Sequence, residues 1–216
     1  MFKFMHNLSG SNRSLTLDMP IAKATNIKKG QLVRISKGKI VTEAVIPYLG
    51  VANETHTGEH DTFNPRNNDK KISVNISTGS VYAVEPPNFM FAVNAANTTS
   101  ATLPVSFSYA SADIIGGYIV FLSKGAVSVN TENIGAVREI TAYNSTTKLM
   151  TLTEGGIIGA GDKYAYFPPT GFKKLEIDAT TFSNVILADA AADFCVVSTD
   201  IEKSEIHVML RISQIG

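Results

Sequence analysis

The chain has 216 residues, 44% of them hydrophobic and 18% charged, and its 19 basic residues cancel its 19 acidic ones. That length and apolar content suffice for a sizeable core and exclude a disordered chain. A neutral balance leaves no long-range field to attract phosphate backbones, which argues against nucleic-acid binding and assigns the polar surface to Ser, Thr, Asn and Gly.

The chain begins with an apolar stretch carrying Phe2, Phe4, Met5 and Leu8, which runs into Asn7, Ser9, Ser11 and Asn12. It is too short for the apolar region of a signal peptide and precedes any strand pattern. Residues 1–25 therefore read as an N-terminal arm and lead-in that orders on a neighbouring subunit or on the surface of a larger partner, with Phe2, Phe4, Met5 and Leu8 as its contact residues. The alternative is a frayed terminus. From Gly30 a run of β-branched residues leads to Ser36-Lys37-Gly38 and then Lys39-Ile40-Val41. This predicts a hairpin with a three-residue loop whose last, left-handed position needs glycine.

The richest polar cluster follows, Glu54 to Asp61. His56 and His60 would share one face of a helix and resemble a metal pair there. Gly58 between them and Asn64-Pro65-Arg66 after them predict a loop instead. No metal or other cofactor is assigned, and His56, Glu59, His60 and Arg66 stand as candidates for an exposed interaction loop.

Period-two alternation then marks strands with one buried face: Ile72, Val74, Ile76, and later Val105, Phe107, Tyr109. The longest uncharged apolar run, Ile114 to Leu122, contains two glycines and falls far short of the roughly 20 residues of a membrane helix. Asn144 to Thr147, Gly155-Gly156 and Gly159 to Asp162 are turn signals. Gly156 to Gly161 has the spacing of a phosphate loop. However, Asp162-Lys163 and a strand follow where Lys-Ser/Thr and a helix are required.

Near the end, Asn184 to Phe194 is only weakly amphipathic, so at most one or two short helices are expected. Asp189 and Asp193, with Asp178 nearby, are a candidate acid pair, although scattered loop carboxylates usually cap or are solvated. Cys195, the single cysteine, sits between Phe194 and Val196 and reads as a small buried hydrophobe. His207, in the alternating run Ile206 to Ile212, reads as a surface residue. No nucleophile elbow or Ser/His/Asp set stands out, so no catalytic residue is assigned and the protein is not expected to be an enzyme.

Two segments echo each other. Gly30 to Gly38 matches Gly117 to Gly125, each ending in Ser-Lys-Gly. Leu49-Gly50-Val51 matches Ile134-Gly135-Ala136-Val137, and Val81 to Pro87 matches Lys163 to Pro169, at an offset near 85 residues. The expected fold is all-β: two related small β-barrel or sandwich modules, with a connecting hairpin and C-terminal strands. Residues 26–110 form the first module with its hairpin, and 111–216 the second with the C-terminal strands.

From Pro20-Ile21-Ala22 to Pro87 the chain resembles phage capsid decoration, or cement, proteins of small β-barrel type. The resemblance lies in Ile27 to Val33, the hairpin, Pro47 to Ala52, Ile72 to Ile76 and Gly79 to Tyr82. It implies a non-enzymatic virion protein that binds the major capsid protein from outside, stabilises the lattice and forms homo-oligomers, with trimers favoured. It implies no nucleic-acid or membrane partner and places the protein on the capsid exterior after assembly in the host cytoplasm. The alternative is a receptor- or glycan-binding module of a head fibre or tail, using the His56 to Asn68 loop and Tyr164 with Tyr166. The absence of tryptophan counts against sugar stacking.

Overall fold

A computed structural model describes residues 1–8, 15–22, 25–43, 48–57, 70–76, 79–91, 100–102, 108–125, 134–153, 159 and 161–211. In chain order the strands are β1 (Lys3–Asn7), β2 (Thr16–Pro20), β3 (Leu32–Ser36), β4 (Lys39–Val41), β5 (Gly50–Ala52), β6 (Lys71–Asn75), β7 (Ser80–Val84), β8 (Asn88–Phe91) and β9 (Ser100–Thr102). One short helix, α1 (Ser111–Ile114), precedes β10 (Tyr118–Ser123), β11 (Val137–Asn144), β12 (Leu149–Leu152) and β13 (Asp162–Phe167). The chain then adds β14 (Leu175–Ile177), β15 (Val185–Leu187), β16 (Phe194–Asp200) and β17 (Glu205–Leu210). The fold is all-β, as its alternating patterns require. Among the described residues no helix is long and apolar enough to cross a membrane.

The first sheet runs β2-β6-β5-β3-β4. A parallel bridge between Ile21 and Ile40, with the Ala22 amide donating to the Ile40 carbonyl at 3.0 Å, brings β4 round towards β2 and curls the sheet into a half-barrel. Ile21, Ile27, Val33, Ile40, Ile72 and Val74 fill its interior. Each such side chain contributes about 1.5–3 kcal/mol by leaving water. Strands β3 and β5 are buried on both faces, because Val33 and Ala52 point into this interior while Leu32 and Val51 join the larger core. The hairpin differs from expectation in its turn. Ser36 pairs with Lys39, leaving a two-residue loop in which Lys37 (φ 49°) and Gly38 (φ 76°) are both left-handed. That twist matches the flanking strands better than the expected three-residue loop.

The second sheet runs β8-β13-β10-β11-β12-β9. Its β10-β11-β12-β9 segment repeats the order β3-β5-β6-β2. The register repeats too: Leu32 opposite Val51 and Val33 opposite Gly50 become Ile119 opposite Arg138 and Val120 opposite Val137, each partner carried 87 residues along the chain. The Val81 to Pro87 likeness does not extend to position. β13 lies beside β10, whereas β7 lies between β1 and β17, and β4 takes the place next to β3.

The third sheet, β1-β7-β17-β16-β14-β15, joins both ends of the chain to β7. A division at residues 110/111 therefore does not follow the sheets, since the C-terminal strands pair with a strand of the first half. The N-terminal stretch is likewise no free arm. It forms β1, Phe2 is buried and stacks on Phe194 at 5.2 Å between ring centres, and Phe4 meets Tyr82 edge-on at 6.3 Å. Burying two aromatic rings against the chain's own core is more favourable than leaving them in water for a neighbour. Met5 is half-buried, and Leu8 alone of the four is exposed. The helix-like stretch before Phe194 forms β15 and irregular backbone instead.

Candidate functional site

The β14-β15 hairpin pairs Leu175 with Leu187, Glu176 with Ile186 and Ile177 with Val185. Alternation sends Leu175 and Ile177 into the core and leaves Glu176 and Ile186 on the outer face. Asp193, just before β16, turns its carboxylate under this hairpin, where Oδ2 accepts the Ile177 amide at 3.0 Å. Its own carbonyl accepts the Arg211 amide at 2.8 Å, so both ends of the residue are fixed. Tyr48, 1% exposed, reaches the same place from the strand-like segment before β5. Together Tyr48, Glu176, Ile186, Ala191, Ala192 and Asp193 line an open cavity of about 450 Å³.

The electrostatics of this cavity follow from burial. Glu176 is held above the usual carboxylate range by loss of water first, then by the charges of Asp193 and Asp189. Asp193, 8% exposed, is raised because burial outweighs the Ile177 amide and the Arg211 charge. Burial, then the Asp193 and Glu176 charges, push the Tyr48 hydroxyl far up, so it stays protonated, with Arg34 a smaller opposing influence. The Arg34 guanidinium is itself committed to Glu43 at 3.1 Å. The cavity thus holds two carboxyls whose ionised forms lack sufficient compensating charge, between apolar side chains, an environment in which a cationic guest would relieve the cost of ionisation.

Of the acid pair read from the sequence, Asp193 lines this cavity and Asp189 is felt at Glu176. Asp178 is occupied elsewhere, accepting from Thr180 and Thr181 in a local turn that lowers its pKa. Glu176 and Tyr48 were not anticipated. The Leu175-Glu176-Ile177 alternation marks Glu176 as outward-facing, but nothing local to Tyr48 marks it as part of a site.

His56 lies in an isolated bridge, exchanging 2.9 and 2.7 Å backbone hydrogen bonds with Ile27, so its backbone is pinned rather than looped. Glu59, His60 and Arg66 lie outside the described residues. Among those described, no group of three His, Cys, Asp or Glu is placed to hold a metal. Tyr164 and Tyr166 are buried in the core and offer no surface for stacking. Cys195 is half-exposed rather than buried, because it lies on the face of β16 opposite Phe194 and Val196.

His207 is half-buried rather than a free surface residue, and its Nδ1 lies 2.7 Å from the Ser198 hydroxyl across the β16-β17 ladder. Burial lowers its pKa. Its Nε2, the atom that a carboxylate would hold in a nucleophilic dyad, is buried without a partner among the described residues. Asp162, fully buried at the start of β13, accepts the Gly125 amide at 2.7 Å and the Gly159 amide at 2.5 Å. Its role is to tie two loops to the second sheet.

Comparison with known proteins finds no matching family model, no similar curated protein and no similar solved structure.

Proposed function

We propose that this protein is a structural decoration protein that binds the outside of an assembled phage capsid through its major capsid protein, reinforces the lattice, and does so as a homo-oligomer, a trimer being favoured. The observation that carries the reading is a set of exposed apolar side chains at one end of β10 and β11, the two central strands of the second sheet. Leu122 (39% exposed), Ile134 (54%) and Val137 (41%) come together there. Val137 faces Val120 across the ladder, and the Gly135 amide donates to the Phe121 carbonyl at 2.8 Å, which sets Ile134 beside the end of β10. Contiguous exposed apolar side chains of this kind mark protein–protein contacts. The stitching of both chain ends onto β7 adds the stiffness that reinforcement needs.

The test is co-sedimentation with emptied, undecorated heads, beside the solution mass of the free protein. Saturable binding at a fixed ratio to major capsid protein is expected, reduced about tenfold or more when Ile134 and Val137 are both changed to Ser. A folded, monodisperse protein that fails to bind intact heads would sink the reading.

A further inference from the structure

We infer that the Glu176–Asp193 cavity receives the guanidinium or ammonium group of a basic side chain from a protein partner. The acceptors come from three separate elements. Glu176 is on β14, Asp193 is tethered beneath it by the Ile177 amide at 3.0 Å, and Tyr48 reaches in before β5. The Tyr48 side chain is buried, yet its hydroxyl makes no hydrogen bond among the described residues, and the charges acting on it from the cavity are those of Asp193 and Glu176. The hydroxyl is the part of Tyr48 that still reaches the open cavity, so it is placed to accept from a donor arriving from outside. The nearby cations do not serve. Arg34 is held by Glu43, and the Arg211 guanidinium donates to the Ala192 carbonyl at 2.8 Å.

The walls select what carries the charge. Ile186, 42% exposed, and the small side chains of Ala191 and Ala192 flank the carboxylates. They fit the aliphatic stem of Arg or Lys and allow a protein surface to approach closely, whereas a free ammonium ion would leave Ile186 in water. The planar fork of arginine can reach Glu176 and the Tyr48 oxygen at once, which favours arginine over lysine. The inference concerns the cavity alone and stands whether or not the partner is a capsid.

The test is titration of the ¹⁵N-labelled full chain at neutral pH with N-acetyl-arginine amide, its neutral isostere N-acetyl-citrulline amide, and agmatine. The readout is the amide signals of Ile177 and Ala192. Saturable shifts are expected with the arginine amide and about tenfold weaker binding with the citrulline amide. Glu176→Gln and Tyr48→Phe, both conservative in shape, are each expected to weaken arginine binding about fivefold with the spectrum still dispersed. Equal response to the arginine and citrulline amides, or undiminished binding by a folded Glu176→Gln, would overturn the site. Agmatine binding more tightly than the arginine amide would reassign the guest to a free amine and overturn the partner side chain. Failure of head binding in the sedimentation test leaves these outcomes unchanged, so the two ideas fail separately.

Discussion

The first and second sheets share a four-strand order and a ladder register, yet they enclose their cores differently. In the first, β4 occupies the flank of β3 and bridges to β2, so the sheet curls on itself around Ile, Val and Leu side chains. In the second, β13 occupies the matching flank of β10, and Phe121, Tyr143, Tyr164 and Tyr166 face into the common core. One neighbouring strand thus decides between a sheet that closes on small aliphatic groups and one that stays open over aromatic rings. The same ladder tolerates both because register depends on which face is buried, not on what lies beyond the next strand.

The sharpest difference falls on one ladder position. Gly50 and Val137 are equivalent by register, yet a Cβ on Gly50 would lie 1.8 Å from the Asn75 carbonyl oxygen, so β5 and β6 approach there without room for any side chain. The sequence match of Gly50 to Gly135 pairs glycines with different jobs: Gly135 turns the chain at φ 84° in open space. Gly50→Val should therefore cost about 4 kcal/mol or more, or prevent folding, while Val137→Gly should cost about 1 kcal/mol, both read from urea midpoints. Similar costs at the two positions would break the contrast.

Phe2→Ala removes the ring that locks the N-terminal strand against Phe194 and Tyr82, and should cost about 3–4 kcal/mol in the same assay. A loss below about 1 kcal/mol would mean that the N-terminal segment is a separable arm after all. Asp162→Ala leaves the Gly125 and Gly159 amides without their acceptor and should cost about 3 kcal/mol. Hydrogen exchange should then speed up around the start of β13 and spare the half-barrel.

The smallest effect concerns pH. A carboxyl whose pKa is higher folded than unfolded binds its proton more tightly in the folded state, so stability falls as pH rises through the interval between the two values. Glu176 and Asp193 are both raised, so this loss begins at the ordinary carboxylate pKa and is complete once both are ionised in the folded state. Glu176→Gln should be slightly more stable than the parent at neutral pH and indistinguishable from it in acid below that range. A variant less stable than the parent at neutral pH would mean that Glu176 is already well paired.

Strand identity and the Ser-Lys-Gly hairpin were legible because period-two alternation and turn residues are local signals. The likeness of Gly30–Gly38 to Gly117–Gly125 was legible for the same reason and recurs in the ladder register, whereas the second anchor aligns Gly50 with Gly135 where the ladder makes Gly50 equivalent to Val137. The third anchor misled. Tyr82 and Tyr164 have similar neighbours and each pairs with an earlier residue at a similar separation, Phe4 and Phe89, but on the other side Tyr82 meets Val208 near the end of the chain while Tyr164 meets Phe121. The fate of Phe2 and Phe4 was illegible for a related cause, since an apolar start reads alike whether it pairs at home or on a neighbour. In the candidate site, Asp193 and Asp189 could be singled out as carboxylates, whereas Tyr48 enters only because three elements converge there.

The most direct test of the proposed role is hydrogen exchange of the protein free and bound to undecorated heads. The account predicts protection of the β10 end and of residues 134–140, with the interior of the half-barrel unchanged. Binding that leaves those segments as exchangeable as in the free protein, or no binding at all, would contradict it.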